Sequence, residues 1–484
     1  MDVILLTGVS GIVFQRSIGS YQLAHHLRDN KFSCQVIDFI NDFNEQELLH
    51  TVEKFITDDT LCIGISTTFL SNIKIGIDNK SKLPLVLPAH VNSVCRILKE
   101  KFSKIKFCLG GARSSHGDQY DWIDSIFHGY AEDEFLNFCK NLRENKKNSF
   151  VKKVNGKEIY EKANVEFHIE HLNHQFKLQD CITKNETLPI EISRGCIFKC
   201  KFCAYPLNGK KKIDYIRDPK LIAQEMLNNY EKYQVTNYFF ADDTFNDSTY
   251  KLEMLHNEIS KLPFKINFTT YLRLDLLYSH KDMINLLKDM GMISAFFGIE
   301  SFCQESLKCI GKNIKVEKVK SFLDELYFDH WKEQINFNLG FIIGLPGEDK
   351  KNILDTVSWL STRPYSFHFE PLRLSDAGGG NYQSEFQKNH LKFGYQFDQN
   401  KNWYNDFISE TEAEILADNI NKEYAYNKNK PAAWTFMSLL NHFDHSYLQE
   451  KTIGEIKYKD IVRSKKKRLL EYKDLLNKFE ENQN

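Results

Sequence analysis

The decisive stretch of this sequence is Cys196-Ile-Phe-Lys-Cys200-Lys-Phe-Cys203, which holds three cysteines in the spacing C-x-x-x-C-x-x-C. Cysteine thiolates are ligands for zinc and for iron–sulfur clusters. A structural zinc site is closed by four ligands, but the nearest other cysteine is Cys181 and no histidine lies within the stretch. Three thiolates on a 4Fe-4S cluster would leave one iron open for a further ligand. The spacing favours such a cluster over a zinc knuckle or a chance group of structural cysteines.

The cysteines follow a predicted strand, Leu188-Pro-Ile-Glu-Ile-Ser193, which runs into Arg194-Gly195. In β/α barrels, the loops at the carboxyl ends of the strands carry the active site. Polar or glycine-rich segments also follow the later predicted strands. These strands are Asn237–Ala241, Lys265–Tyr271, Ile293–Gly298, Asn336–Ile343 and Ser366–Glu370.

The cysteine loop and this series of strands together resemble the radical S-adenosylmethionine (radical SAM) superfamily over roughly residues 188–373. Phe202 stands at the aromatic position that the family places before its third cysteine. The resemblance implies a partial barrel of six β/α units, with Cys196, Cys200 and Cys203 as the ligands of a 4Fe-4S cluster. It also implies that S-adenosylmethionine binds the fourth iron, and that an electron from a reductase such as flavodoxin or ferredoxin cleaves it to a 5′-deoxyadenosyl radical.

The same resemblance assigns cofactor contacts to residues that follow the predicted strands. Asp242 and Asp243 fall where the family recognises the methionine amino group, and Glu300 and Ser301 fall where it contacts the ribose. Arg273 suits the cofactor carboxylate, because a guanidinium can bind a carboxylate through two hydrogen bonds. For each charged residue the alternative is a salt bridge within a loop. Contacts with or near the adenine are predicted for Tyr205 and for Ile342, which lies within the strand end Gly340–Gly344, and Phe202 is also predicted to contact the cofactor.

The first part of the chain alternates short apolar strands with helical patterns, which predicts a doubly wound parallel sheet. Ligands bind such sheets at the carboxyl ends of the strands. The predicted strands are residues 2–7, 34–39, 61–66, 105–110 and 125–129.

Residues 1–140 resemble the cobalamin-binding domain that precedes the barrel in a large subgroup of radical SAM enzymes. The matching pieces are the helix 19–28, the strand 63–67, the turn 109–113 and Gly129-Tyr-Ala-Glu-Asp-Glu134. The family's usual Gly-Glu-Gly-Glu is here Gly-Tyr-Ala-Glu, and the D-x-H-x-x-G motif that supplies a histidine to cobalt in other cobalamin proteins is absent.

This second resemblance implies that cobalamin binds with its dimethylbenzimidazole tail displaced into the domain and with no histidine replacing the tail. The corrin would lie between the strand ends of this domain and the barrel mouth. The loops Gly8–Gly11, Ser66–Phe69 and Gly110–Arg113 would line the site, with Thr67, Thr68 and Gly110 as predicted tail contacts. The alternative is a relic domain, or one that binds substrate.

The composition excludes several other classes of function. Lys and Arg number 64 against 65 Asp and Glu, so the net charge of −1 gives no reason to expect a nucleic-acid or membrane-surface partner. No apolar stretch approaches the ~18 residues of a membrane span, and the N-terminus has no basic, apolar signal pattern. The 11 irregularly spaced cysteines favour a reducing compartment over a disulfide framework. The sequence therefore predicts a cytoplasmic protein.

Four parts of the chain are predicted: a Rossmann-like domain over 1–140, a polar linker over 141–187, the barrel over 188–375, and a mostly helical domain over 376–484 that caps the barrel mouth. The implied reaction is methyl transfer to an unactivated carbon of a small molecule or peptide, or a rearrangement. Methylthiolation is disfavoured, because the N-terminal cysteines do not resemble that family's second-cluster pattern. The alternatives are a cobalamin-independent radical SAM enzyme and a non-enzymatic iron–sulfur or zinc-binding module.

Overall fold

The computed structural model describes two large, mainly parallel β-sheets flanked by helices, which confirms the predicted α/β class. The described residues are 1–9, 11, 14–70, 87–111, 114–161, 169–205, 207, 209–210, 215–312, 314–374, 383–425 and 430–481. Among them, no helix is both long and apolar enough to cross a membrane.

The N-terminal sheet has the strand order β2-β1-β3-β4-β5-β7-β6. The five predicted strands pair in parallel, and their central residues are buried on both faces, as expected for a sheet covered by helices. The elements are β1 (Val3–Leu6), α1 (Ile18–Asp29), β2 (Cys34–Ile37), α2 (Glu45–Phe55), β3 (Cys62–Ser66), α3 (Ala89–Lys101), β4 (Lys106–Gly110), β5 (Ser125–His128), α4 (Glu132–Arg143), β6 (Lys152–Val154) and β7 (Lys157–Glu161).

The predicted linker over 141–187 is wrong in its first part. Strand β7 pairs in parallel with β5, and β6 pairs antiparallel with β7, so residues 152–161 extend the N-terminal sheet. Only the part after this hairpin leads to the second sheet.

The second sheet has six parallel strands in the order β13-β12-β11-β10-β9-β8, so it confirms the partial barrel. On β12, Phe337, Leu339 and Phe341 pack into the outer core, and the alternation of a strand turns Asn338 and Gly340 toward the lumen. The elements are β8 (Thr187–Glu191), α5 (Pro219–Tyr233), β9 (Asn237–Ala241), α6 (Thr249–Ile259), β10 (Asn267–Leu272), α7 (Leu274–Ser279), α8 (Asp282–Asp289), β11 (Met292–Glu300), α9 (Gln304–Ile310), α10 (Val316–Asp324), β12 (Asn336–Ile343), α11 (Lys350–Ser361) and β13 (Ser366–Pro371).

The C-terminal region contains α12 (Glu385–Lys388), the short strands β14 (Gln396–Phe397) and β15 (Trp403–Tyr404), and then α13 (Glu410–Ile420), α14 (Ala433–Leu439), α15 (His445–Glu450) and α16 (Tyr458–Glu481). Only its first part reaches the barrel mouth. The Phe386 N–H donates to the Lys201 carbonyl beside the cysteines, and the Tyr395 hydroxyl donates to the Gly344 carbonyl at the end of β12.

The prediction of a helical cap over the mouth is wrong for the last three helices. Helix α14 closes the opposite end of the barrel, where the Pro431 carbonyl accepts a hydrogen bond from the Asn336 side chain at the start of β12. Helix α16 packs on the N-terminal domain instead, because Leu469, Tyr472 and Leu476 enter that domain's core.

Candidate active site

The cysteine loop leaves the carboxyl end of β8 through a turn that requires glycine. Gly195 has φ +121°, and a Cβ there would lie 3.0 Å from the Leu207 carbonyl oxygen. The loop folds back on itself, since the Gly209 and Lys210 N–H groups both donate to the Cys196 carbonyl at 2.8 and 3.0 Å. Cys196 is buried, whereas Cys200 and Cys203 are partly exposed. The loop therefore presents three thiols from a single constrained segment.

The surroundings of these sulfurs suit the negatively charged iron–sulfur cluster that the sequence predicts. The Arg273 guanidinium lies 3.5 Å from Cys200 Sγ, and its Nη2 pairs with Asp275 at 2.6 Å. Cys196 Sγ accepts from the Phe198 N–H at 3.4 Å and lies 3.3 Å from the Thr244 hydroxyl. Hydrogen bonds to cluster sulfurs tune the reduction potential. Across the described part of the chain, no group of three or more His, Cys, Asp and Glu side chains is arranged around a single metal ion.

Arg273 thus faces the cysteine loop in this structure. Its guanidinium also stacks 3.9 Å from the centre of the Phe198 ring. The contact of Arg273 with a cofactor carboxylate stays a prediction. The structure shows in addition that the guanidinium lies beside Cys200.

The two predicted carboxylates after β9 have different surroundings. Asp242 is buried and pairs with Lys251 at 3.2 Å, and Lys251 also pairs with Asp247 at 2.6 Å. Asp243 remains accessible at the mouth. Enclosure by protein, with the neighbouring carboxyls of Asp242 and Glu191, raises the pKa of Asp243 to about 7. The geometry therefore favours Asp243 over Asp242 as a group that meets a ligand.

Glu300 ends β11 in a strained conformation. Its φ is +73°, which is rare for a residue with a side chain, and the register of β11 against β12 shifts between Gly298 and Glu300. Lys312 holds the bulge by binding the Glu300 carboxylate at 3.0 Å and the Gly298 carbonyl at 2.5 Å. Strain of this kind persists where the surrounding structure fixes it, and it is found at ligand sites.

Ser301 turns away from the lumen and is fully buried, where its hydroxyl donates to Glu348 at 2.5 Å. Glu348 ends the segment Gly344-Leu-Pro-Gly-Glu348 that follows β12. Its burial raises the pKa of this carboxyl to about 8, although the hydrogen bonds from Ser301 and the Gly344 N–H oppose the shift. Glu348 is therefore protonated at neutral pH, and it supports the ends of the strands as an uncharged hydrogen-bonding group.

A Glu348→Gln variant should become more stable relative to wild type as the pH rises. In the folded wild type the raised pKa keeps the proton on, whereas the unfolded chain releases it near its ordinary pKa of about 4.3, so the wild type loses stability progressively between that pH and the folded-state pKa of about 8. The amide carries no such proton. Urea unfolding at pH 5 and pH 9 should show a relative gain of about 4 kcal/mol, because each pH unit between pH 5 and the folded-state pKa of about 8 contributes about 1.4 kcal/mol. The exposed Glu253→Gln on α6 should keep the wild-type profile, and a Glu348→Gln profile parallel to wild type would refute the assignment.

Comparison with known families decides the class of this site, since residues 190–360 match the Radical SAM superfamily. Residues 190–360 therefore form a Radical SAM domain. The matched region runs from β8 to α11 and contains the cysteine loop, Asp243, Glu300 and Glu348. A Radical SAM domain implies a 4Fe-4S cluster and S-adenosylmethionine as cofactors. Cys196, Cys200 and Cys203 supply three thiols of the kind that ligate such a cluster, and their role as its ligands stays a prediction.

Two curated relatives and two solved structures extend the comparison. The chain is 23% identical over 392 residues to a tRNA-2-methylthio-N(6)-dimethylallyladenosine synthase of Buchnera aphidicola subsp. Cinara cedri, covering 76% of this chain and 86% of the relative. It is 27% identical over 171 residues to an uncharacterized methyltransferase of Pyrococcus horikoshii, covering 34% of this chain and 35% of the relative.

The similar structures are the radical SAM methyltransferase TsrM of Kitasatospora setae and the cobalamin-dependent radical SAM enzyme OxsB. TsrM, solved with cobalamin and a [4Fe-4S] cluster, matches at a TM-score of 0.66 and 13% identity over 96% of this chain and 99% of its own. OxsB, solved with aqua-cobalamin and S-adenosylmethionine, matches at 0.60 and 13% over 100% and 80%. The likeness extends over the N-terminal domain as well as the radical SAM barrel.

The lumen of the radical SAM barrel is lined by aromatic rings that sequence reasoning did not single out. Phe239, Tyr271, Phe296 and His368 form a chain of ring contacts with centroid separations of 5.8, 5.0 and 5.4 Å. All four are partly exposed, and a Cβ on Gly340 would collide with the Phe296 ring at 2.6 Å. The signal that could have found them is the strand alternation, which puts Phe296 on the same side as Glu300.

Three other predicted residues of the radical SAM site differ in exposure. Tyr205 is 65% exposed beside the cysteine loop, Phe202 packs at the edge of the core, and Ile342 is partly exposed near the end of β12. These positions agree with a surface that a ligand could cover. Their contacts with the cofactor stay predictions.

The predicted residues of the N-terminal domain come together at the carboxyl edge of its sheet. The Thr67 hydroxyl and N–H both donate to the Gly110 carbonyl at 2.9 Å. Gly111 packs so closely that a Cβ would lie 2.7 Å from Thr68 Oγ1, whereas a Cβ on Gly110 would meet no atom of the described residues within 4 Å. Ser10, Ala112 and Arg113 of the predicted loops lie outside the described residues.

Proposed function

We propose that this protein is a cobalamin-dependent radical SAM methyltransferase that acts on an unactivated carbon of a small molecule or peptide. The observation that carries the proposal is the likeness to TsrM and OxsB over nearly the whole chain, N-terminal domain included. That domain also lies with the carboxyl edge of its sheet against the barrel mouth, because Glu132, which follows β5, pairs with Arg194, which follows β8.

The chain's own residues at the barrel mouth have separable roles. Cys196, Cys200 and Cys203 would hold the 4Fe-4S cluster, which when bound supplies the electron that cleaves S-adenosylmethionine. Arg273, with its guanidinium 3.5 Å from Cys200 Sγ, places a positive charge beside the cluster that the loop would hold. Glu300, fixed by Lys312, offers a carboxylate for the ribose hydroxyls, and Asp243 offers one for the methionine amino group. The aromatic rings that line the lumen exclude water from the interior of the barrel.

The strand ends of the N-terminal domain suit a cofactor that lies flat against the backbone. Among the described residues, none packs against Gly110 beside the tight turn of Thr67, Thr68 and Gly111, so a large planar group or its tail could approach the main chain there. When bound, cobalamin would supply the methyl carrier between S-adenosylmethionine and the substrate. A reductase of the flavodoxin or ferredoxin type would deliver the electrons.

Cobalt retention tests the proposal directly. Protein purified from cobalamin-fed cells should hold near-stoichiometric cobalt and a visible spectrum without nitrogen coordination to the metal. A Gly110→Phe variant should lose most of that cobalt, because its ring would fill the space proposed for the cofactor, and Gly110→Ala should retain it. Wild-type protein that holds less than about a tenth of an equivalent of cobalt after reconstitution with cobalamin would overturn the cobalamin part and leave a cobalamin-independent radical SAM enzyme.

The second candidate is tRNA methylthiolation, which the name of the Buchnera relative suggests. That function calls for cysteines in the N-terminal domain that can meet a second cluster. In this chain Cys34, Cys62, Cys108 and Cys139 are buried in one core, and Cys95 is buried in another. None of these five thiols lies at the carboxyl edge of the sheet, so the geometry favours the methyltransferase.

A further inference from the structure

A buried arginine joins the N-terminal domain to the cysteine loop. Arg194 is 4% exposed and lies two residues before Cys196. Its Nε and Nη2 bind the two carboxylate oxygens of Glu191 at 2.8 and 2.9 Å, and its Nη1 binds Glu132 at 2.7 Å. Its backbone N–H donates to the Tyr215 carbonyl at 2.8 Å. Side chain and backbone together fix the chain immediately before the first thiol.

Glu132, Tyr130 and Gln22, which contact Arg194, belong to the N-terminal domain. Glu132 begins α4, and the ring of Tyr130, between β5 and α4, lies 4.3 Å from the guanidinium carbon. Gln22 on α1 donates to Glu191 at 2.5 Å and lies 3.5 Å from Arg194 Nη2. A single guanidinium thus connects helices α1 and α4 of the N-terminal domain to the strand end that carries the cysteines.

The geometry requires arginine at this position. Bidentate binding of Glu191 and a third bond to Glu132 use the planar fork of the guanidinium, which an ammonium group cannot reproduce. Because all of these groups are buried, removing one partner leaves an unsatisfied charge beside the loop.

We propose that Arg194 is a positioning residue through which the N-terminal domain sets the geometry of the cluster-binding loop. The position of the Cys196 thiol then depends on Glu132 and Tyr130, although neither residue touches the loop's cysteines. The inference rests on the cluster assigned under the proposed function but not on cobalamin, so a protein that holds iron and no cobalt would leave it standing.

A matched control exists on the same domain boundary. Arg28 on α1 binds Asp180 through two hydrogen bonds of 2.7 and 3.0 Å, and it too is largely buried. Asp180 lies before β8, at the opposite end of that strand from the cysteines. Arg28→Lys therefore damages a comparable ion pair without touching the loop.

The test compares Arg194→Lys, Glu132→Gln and Arg28→Lys after anaerobic reconstitution with iron and sulfide. Electron paramagnetic resonance of the reduced cluster, with and without S-adenosylmethionine, reports the local geometry. We expect the first two variants to give an altered or split cluster signal and a roughly tenfold weaker response to S-adenosylmethionine. Arg28→Lys should match wild type.

Wild-type spectra and wild-type titrations for both Arg194→Lys and Glu132→Gln would overturn the proposal. So would equal changes in Arg28→Lys, because they would show a general effect of loosening the domain boundary. If Arg194→Lys does not fold, Glu132→Gln and Tyr130→Leu decide, since each removes one partner of the guanidinium and leaves Glu191 paired. Failure of the proposed cluster would show differently, as absence of iron from the wild type.

Discussion

A Cys200→Ala variant should retain less than about a tenth of the iron and sulfide that wild type holds after anaerobic reconstitution. Cys200 is one of only three thiols on the loop, and Arg273 Nη1 lies 3.5 Å from its sulfur. Two remaining thiolates cannot hold a cluster that needs three protein ligands, and removal of the sulfur also leaves Arg273 without an anionic partner there. Formation of 5′-deoxyadenosine on reduction should fall at least about a hundredfold.

Cys303→Ala is the control for this loss. Cys303 lies near the same mouth, between β11 and α9, where its thiol donates to the Gly347 carbonyl at 3.3 Å. Its removal costs a weak hydrogen bond and no proposed cluster ligand, so iron content and cofactor cleavage should match wild type. Wild-type protein that binds one equivalent of zinc and no iron would instead support the zinc-binding module.

The strands of the two sheets were predictable because the local sequence marks where each strand begins and ends. Predicted and observed bounds coincide for Asn237–Ala241 and Asn336–Ile343, where a polar or glycine segment follows a run of apolar side chains. The hairpin β6–β7 was not predictable in this way. Its strands are short and rich in lysine, and they gain stability by pairing with β5 rather than by a hydrophobic run of their own.

The C-terminal helices show a different limit. Helical spacing of Leu469, Tyr472 and Leu476 predicts an amphipathic helix but does not name the surface that it covers. That surface is fixed by contacts with distant residues, such as the hydrogen bond that the Asp38 N–H donates to the Tyr472 hydroxyl. A pattern within one helix carries no information about a partner more than 400 residues away.

The candidate site likewise has residues that could be predicted from the sequence and contacts that could not. Spacing and strand ends predicted the three cysteines as ligands, and the resemblance to the radical SAM family predicted roles for Asp242, Asp243 and Glu300. They did not reveal that Lys251, on α6, forms an ion pair with Asp242, so that Asp243 is the carboxylate left accessible at the barrel mouth. Nor could they reveal that Arg194 reaches the other domain, because side-chain pairing between elements depends on how the elements dock.

A Lys251→Met variant should lose about 3–5 kcal/mol of stability, the usual cost of removing one partner from a buried ion pair. Lys251 is fully buried between Asp242 and Asp247, and Asp247 also accepts a hydrogen bond from the Tyr215 hydroxyl. Methionine fills most of the volume but leaves two carboxyls without their cation. Urea unfolding followed by tryptophan fluorescence should report the loss.

The matched substitution is Lys261→Met, at the solvent-exposed ion pair with Glu258. It removes the same charge and adds the same side chain, but an exposed pair contributes only about 0–1 kcal/mol. Lys251→Met should also weaken binding of the cluster. The Lys251 ammonium donates to the Thr244 carbonyl at 3.0 Å, and the Thr244 hydroxyl lies against Cys196 Sγ. Iron content should therefore fall together with stability. Neutralising both carboxyls as well, in Lys251→Met/Asp242→Asn/Asp247→Asn, should restore part of each, and equal stabilities for Lys251→Met and Lys261→Met would show that the buried cation does not hold this turn.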